Sequence, residues 1–362
     1  TWVTGTGTGF DATTALPSLK YYNQAAVNWA PVSNTGDALV NKLGYMLFVR
    51  GDRTVTTFNG NPNNTIMRSK GQLFSPTNPA PSIPVAANKY QTFGNPYASR
   101  IAFSSVFDAS TGIIDVFYVW DPKLAGSYNV GGYQTISGIA GYIPTVGTPP
   151  TGNPASDYYP AGVPSPYIES GQAVFVKGNG SGGNVNFNEN VKANGNRLVN
   201  RPANTNDPVA RRQFLFTTLF TYTGNIADGN IVAFEKGFGN ELNENDAEKI
   251  MNVGENFGLM RDGSILAVEA HEPVKATDTI FYNMNNLRRQ PYQLRFAPVN
   301  MGSINQQPLL IDRFTNIITP LSLTDSSFVD FNVIADPASA VANRFFIVFN
   351  MKSKLKFAIT DI

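Results

Sequence analysis

The chain has no cysteine and a single histidine in 362 residues. The first absence excludes disulfides, thiolate metal sites and thiol nucleophiles together. The second leaves any Ser-His-Asp triad dependent on His271 and removes a histidine-rich metal site from consideration. Charge is scarce as well: 15% of residues are charged and the formal net charge is +1. Such a balance provides no long-range field to recruit a polynucleotide or an anionic membrane, so no nucleic-acid partner is expected. No apolar run approaches the roughly 20 residues that span a bilayer, so no membrane insertion is expected either. The opening TWVTGTGTGF is not a signal peptide, and an exported form would already have lost its leader.

What the chain does have is turn formers and aromatics. Gly 32 and Pro 24 supply turns, and Phe 25 and Tyr 15 supply strand cores, a mixture that favours an all-β protein. Its length allows two domains, each with a core of its own. In Tyr90 to Tyr133 the pattern gives a strand, a GNPY turn at Gly94 to Tyr97, a second strand and a long loop. The aromatic strand Val116 to Trp120 follows and stops at Asp121-Pro122. A hairpin turning at Gly51-Asp52 is expected within Lys42 to Asn59. It explains the integrin-like triplet Arg50-Gly51-Asp52 as a turn. The proline-rich connector from Ser75 to Asn88 cannot be a central strand.

The polar run KANGNRLVNRPANTNDP from Lys192 to Pro208 marks a boundary, giving domains 1–200 and 209–362. The first is an irregular β-domain with Gly-, Pro- and Tyr-rich insertions. The second carries eight strand candidates: Gln213 to Tyr222, Asn230 to Phe234, Ile265 to Glu269, Thr279 to Asn283, Tyr292 to Phe296, Leu309 to Asp312, Phe328 to Ile334 and Arg344 to Asn350. Their spacing indicates a β-sandwich of jelly-roll or Greek-key type. One helix is expected, at Asn245 to Val253, capped by Asn245 or Asp246. Lys352 to Ile362 resumes a strand pattern, and more sequence is expected beyond it.

Candidate chemistry is sparse. His271 lies beside Glu272-Pro273 and reads as a solvated loop histidine. Asp108, Asp115 and Asp121 are the acids a glycoside hydrolase would draw on, and all three also fit turn and cap positions. No catalytic residue is therefore assigned. Calcium is the one metal for which hard oxygen ligands are available, from Glu241, Asn243, Asn245 and Asp246, with Asp228 across a turn. A helix N-terminus capped by acids explains the same letters. The glycines of TGTGTGF lack the strand, helix and lysine of a phosphate-binding loop. Tyr128, Tyr133, Tyr158 and Tyr159, with Tyr142 and Tyr167 nearby, offer rings that stack on sugars and hydroxyls that bond to them; the alternative is that they anchor long loops.

Several strings taken in order resemble the non-catalytic passenger regions of surface and secreted proteins that Bacteroidota export through the type IX secretion system. They are GYMLFVRGDR (Gly44 to Arg53), FGNPYASRIAF (Phe93 to Phe103), YVWDP (Tyr118 to Pro122) followed by GGY (Gly131 to Tyr133), and ESGQAVFVK (Glu169 to Lys177). The second half adds NDAEKIMNVGENFGLMRDGSILAVEA (Asn245 to Ala270), TDTIFY (Thr277 to Tyr282), YQLRF (Tyr292 to Phe296) and RFFIVF (Arg344 to Phe349). The resemblance implies an extracellular or cell-surface address and a structural or adhesive role. It implies as partners further β-sandwich modules of the same polypeptide, with cell-surface glycans and self-association as other contacts. Nothing in the chain resembles the C-terminal sorting domain of such proteins, which is expected beyond Ile362. The alternative function is a carbohydrate-binding module that uses the tyrosine-rich loops.

Overall fold

The computed structural model describes residues 19–32, 39, 42–47, 73–75, 82–146, 164–193 and 211–351, and the fold is all-β. The expected turn at Gly51-Asp52, the glycines of the first ten residues, Tyr158, Tyr159 and the segment after Met351 lie outside the described residues. Two compact units are present, residues 1–117 with 166–199 and residues 118–165 with 200–362. Residues 118–165, expected with the first domain, belong to the second unit.

In the first unit β1 (Leu19–Asn23), β2 (Asn28–Pro31) and β3 (Tyr45–Leu47) form a sheet in the order β2-β1-β3. Next come β4 (Ser82–Val85), β5 (Tyr90–Gly94), β6 (Ile101–Ala102), the helix α1 (Phe103–Ala109) and β7 (Ile113–Asp121), whose residues from Tyr118 onward belong to the second unit. After β8 (Gly132–Ser137), which is part of the second unit, β9 (Tyr167–Ile168), β10 (Ala173–Gly178) and β11 (Gly183–Asn186) complete the set. β10 lies between β5 and β7, β4 pairs with β11, and β6 with β9. Pro84 sits in a two-stranded sheet, where the missing N–H costs least. The GNPY turn is held by Asn95, whose side chain donates to the carbonyls of Ser99 (2.9 Å) and Ile168 (3.0 Å) and accepts from Tyr97 N. The loop expected after β6 is instead α1. Phe103 and Val106, three apart and both fully buried, give it one apolar face, so packing forms this short helix without a side-chain N-cap.

The second unit contains β12 (Gln213–Thr221), β13 (Ile226–Phe234), β14 (Ala247–Glu248), β15 (Asn256–Arg261), β16 (Ser264–His271) and β17 (Thr279–Asn285). β18 (Pro291–Val299), β19 (Gln306–Asp312), β20 (Ile317–Pro320), β21 (Ser327–Asn332) and β22 (Phe345–Met351) follow. Strands expected to divide between the two layers of a sandwich are joined in one nearly closed sheet. Its order is β20-β19-β22-β17-β15-β16-β13-β12-β18-β21, with β14 beside β16. β13 and β16 run parallel at its centre. The β15-β16 hairpin turns through Asp262 (φ 47°) and Gly263 (φ 82°), the two positive-φ positions of a type I′ turn.

All eight strand candidates fall on observed strands, while the helix expected at Asn245 to Val253 does not form. The reason is burial of its charged letters. Asp246 and Lys249 take partners inside the unit, and Lys249 N bonds to Ile265 O at 2.9 Å, so the segment lies extended along β16. Every residue of β13 is buried. One side meets the main core around Phe257, Tyr282 and Phe296. On the other, Ile226 and Phe220 pack with Leu124 and Val146. Gly229 permits this closeness, because a Cβ there would lie 2.6 Å from Thr145 O.

Candidate functional site

The ends of the sheet, β20 and β21, are consecutive in the chain, and a cleft of about 390 Å³ opens between them. Among the described residues β20 has β19 as its strand neighbour and β21 has β18. Strand alternation sets Val329 and Phe331 toward the core, where they meet Leu310, and sets Phe328, Asp330 and Asn332 on the other face. On β20, Ile317 and Thr319 line the cleft and Ile318 faces away. Ile317 (59% exposed), Ile318 (57%) and Phe328 (52%) are among the most exposed large apolar residues described.

Arg344 forms the floor. Its Nε and Nη2 donate to the two carboxylate oxygens of Asp312 at 2.8 and 2.7 Å. Its Nη1 donates to the carbonyls of Asn332 (2.9 Å) and Ser339 (2.7 Å), so one side chain ties β19 to the end of β21. Phe314, Phe331 and Phe345 surround the guanidinium with ring centres about 5 Å away. Burial works to raise the Asp312 carboxyl, but hydrogen bonds from Arg344 and Phe314 N and the Arg344 charge outweigh it and hold it below its ordinary value. Four of the five guanidinium N–H groups are used in this way, so Arg344 joins strands and offers little to a bound anion. The cleft presents the apolar Leu310, Ile317, Val329 and Phe331 among polar neighbours such as Thr315, Thr319 and Asn332, and the backbone edges of two strands.

A second cluster of charge lies under the sheet's centre. Asp228, fully buried on β13, accepts from Lys249 Nζ at 2.8 Å, from Phe257 N at 2.6 Å and from Gly229 N. Burial, the largest influence, raises its carboxyl despite Lys249. Asp246 accepts from Asn243 N and Ala270 N, with Arg261 3.7 Å away, and burial raises it as well. Arg261 in turn pairs with Glu269, whose carboxyl burial pushes up to about 7 against the Arg261 charge. Of the residues considered for calcium, Asp228 is committed to Lys249, and Asn243 bonds to the carbonyls of Phe238 and Glu241 and to Asn245 N. Glu241 is exposed. Among the described residues no group of three or more acids and histidines is placed to hold a metal ion.

His271 is 4% exposed at the end of β16, so the expectation of a solvated loop histidine is corrected. Its ring lies 5.5 Å from that of Phe234, which the parallel pairing of β13 and β16 sets opposite it. Burial lowers its pKa, and Nδ1 lies 2.7 Å from Glu272 O. The carboxylates considered for glycoside hydrolysis stand on separate elements, Asp108 on α1 and Asp115 and Asp121 on β7. Asp121 is fully buried, accepting from Gln134 Nε2 at 2.6 Å and from Lys123 N.

Of the tyrosines, Tyr128 is half-buried, with its ring 3.9 Å from the Arg288 guanidinium and its hydroxyl donating to Asn286. Beside it Glu255, 1% exposed, receives Ser127 N and the Tyr292 hydroxyl, fixing residues 126–128 on the unit. Tyr133 is half-buried, edge-on to Trp120 at 5.0 Å, and its backbone N–H is held by Asn252. Tyr167 lies under the Arg100 guanidinium at 4.1 Å, and Tyr142 adopts a positive φ of 58°. The Tyr128 ring and hydroxyl are thus engaged by Arg288 and Asn286, whereas at Tyr133 it is the backbone that is held and the ring stands against Trp120. Arg344 and Asp312 went unremarked at the level of sequence. Their signal is slight: an acid closing the apolar run LLID and an arginine opening RFFIVF.

A family model described as a domain of unknown function, DUF8693, matches residues 10–349, and the chain belongs to that family. No curated protein and no solved structure matches the chain.

Proposed function

We propose that this chain is a non-catalytic structural or adhesive module of a large secreted or cell-surface protein exported by the type IX secretion system. The observation that carries the reading is the open edge of the sheet. Large apolar side chains are exposed at Ile317, Ile318 and Phe328, where a chain serving only its own stability would place polar ones. The buried Arg344–Asp312 pair ties the strands at that edge together. Partners of such a module are neighbouring domains of the same polypeptide or proteins of the cell exterior. The test is adhesion of the immobilised module to source cells. The double variant Ile318→Asp/Phe328→Asp is expected to lose most of the binding while remaining folded, and unchanged adhesion contradicts the assignment. Disabling the type IX translocon is expected to remove the protein from the cell surface.

The carbohydrate-binding reading rests on one feature, the half-exposed Trp120–Tyr133 pair. A glycan array in which Tyr133→Ala abolishes a signal given by the unaltered protein supports it.

A further inference from the structure

We infer that the cleft between β20 and β21 accepts an extended segment of a partner polypeptide as an added β-strand, with apolar residues alternating with basic ones. This rests on the edge being a contact surface and names what the contact is. Both walls of the cleft are strands with a single strand neighbour among the described residues, so each carries a row of backbone donors and acceptors along its other side. A strand entering there gains ladder hydrogen bonds from one wall or both, the arrangement of peptide recognition by strand addition. β20 is four residues long and β21 six, which sets the length of the ladder.

The walls also specify side chains. A strand's residues alternate faces, so every second residue of the incoming segment points inward, toward Leu310, Val329 and Phe331. Those positions call for apolar side chains. The residues between them point outward beside Asp330, an exposed carboxylate that accepts a hydrogen bond from Gln293 and has no ion pair among the described residues. The surrounding stretch is acidic: from 312 to 341 the exposed charges are Asp325, Asp330 and Asp336 against Arg313. A lysine or arginine at the outward positions is complementary to this field, and a glutamate is repelled.

The test uses the full chain and an eight-residue fluorescein-labelled peptide alternating valine with lysine, read by fluorescence anisotropy. Saturable binding is expected. Methylating alternate backbone nitrogens of the peptide removes ladder donors and is expected to abolish it. Replacing its lysines by glutamate, or Asp330→Lys in the protein, is expected to weaken binding by about fivefold or more. Asp330 is exposed, and a melting curve confirms that the variant is folded. The inference is overturned if the unmodified peptide does not bind the folded protein, if the methylated peptide binds equally well, or if the glutamate peptide binds as tightly as the lysine one. Loss of cell adhesion in Ile318→Asp/Phe328→Asp without any peptide binding overturns strand addition and leaves the contact surface standing. Peptide binding with adhesion intact in that variant supports strand addition and removes the adhesive role.

Discussion

The centre and the edge of the same sheet are built on opposite terms. At β13 every residue is buried, and the charges below it, Asp228 with Lys249 and Glu269 with Arg261, are out of water and paired. Exposure alternates along β21, β20 exposes Ile317 and Ile318 side by side, large apolar residues face solvent, and the one fully buried charge, Arg344, works as a clamp between strands. Centre and edge therefore divide the work. Perturbing the centre should change stability, and perturbing the edge should change contact.

The largest expected effect is at the centre. Lys249→Met leaves the Asp228 carboxylate buried and uncompensated, which should cost about 3–5 kcal/mol of unfolding free energy by urea titration. Replacing Asp228 by Asn in the same chain should return part of the loss, and a single variant as stable as the parent would mean that the pair is not what holds β13 in place.

The next effect is a pH slope. Glu269 sits at about 7 in the folded chain against an ordinary value of 4.5. Between those values the folded state binds more protons at this group than the unfolded one, so its contribution to stability falls as pH rises through that window. The slope is at most about 1.4 kcal/mol per pH unit. His271, lowered by burial, acts in the opposite sense as pH drops below its ordinary value. Comparing the pH dependence of unfolding in the parent and in Glu269→Gln isolates the first contribution; parallel curves would show that Glu269 stays ionised beside Arg261.

The smallest effect is at the edge. Ile318→Asp/Phe328→Asp should change unfolding free energy by no more than about 0.5 kcal/mol per site, since both side chains already face water. A larger loss would make the edge part of the core and weaken the contrast.

Much of the edge and little of the centre was legible in the sequence. The period-two pattern at Phe328 to Ile334 reports a strand with one wet face, because alternation is the direct consequence of half-burial. β20 escaped notice because it is four residues long, and β14 because it is two. At the centre the letters mislead. Ala247, Glu248 and Lys249 have helical propensity, and the tertiary pairing of Lys249 with Asp228 overrides it. The parallel pairing of β13 with β16 joins residues far apart in sequence, and no local pattern encodes it. His271 looked solvated for the same reason, since Phe234 covers it from another strand. Tyr128 shares its letter with sugar-stacking rings, and the Asn286 that engages its hydroxyl lies far away in the sequence, where no local pattern points to it.

Amide hydrogen exchange on the free protein tests the division most directly. The account predicts that β13 amides exchange only through global unfolding, while those of β20 and β21 on the cleft side exchange through local opening at far lower free energy. Equal protection of β20, β21 and β13 would contradict it, because the edge would then already be closed.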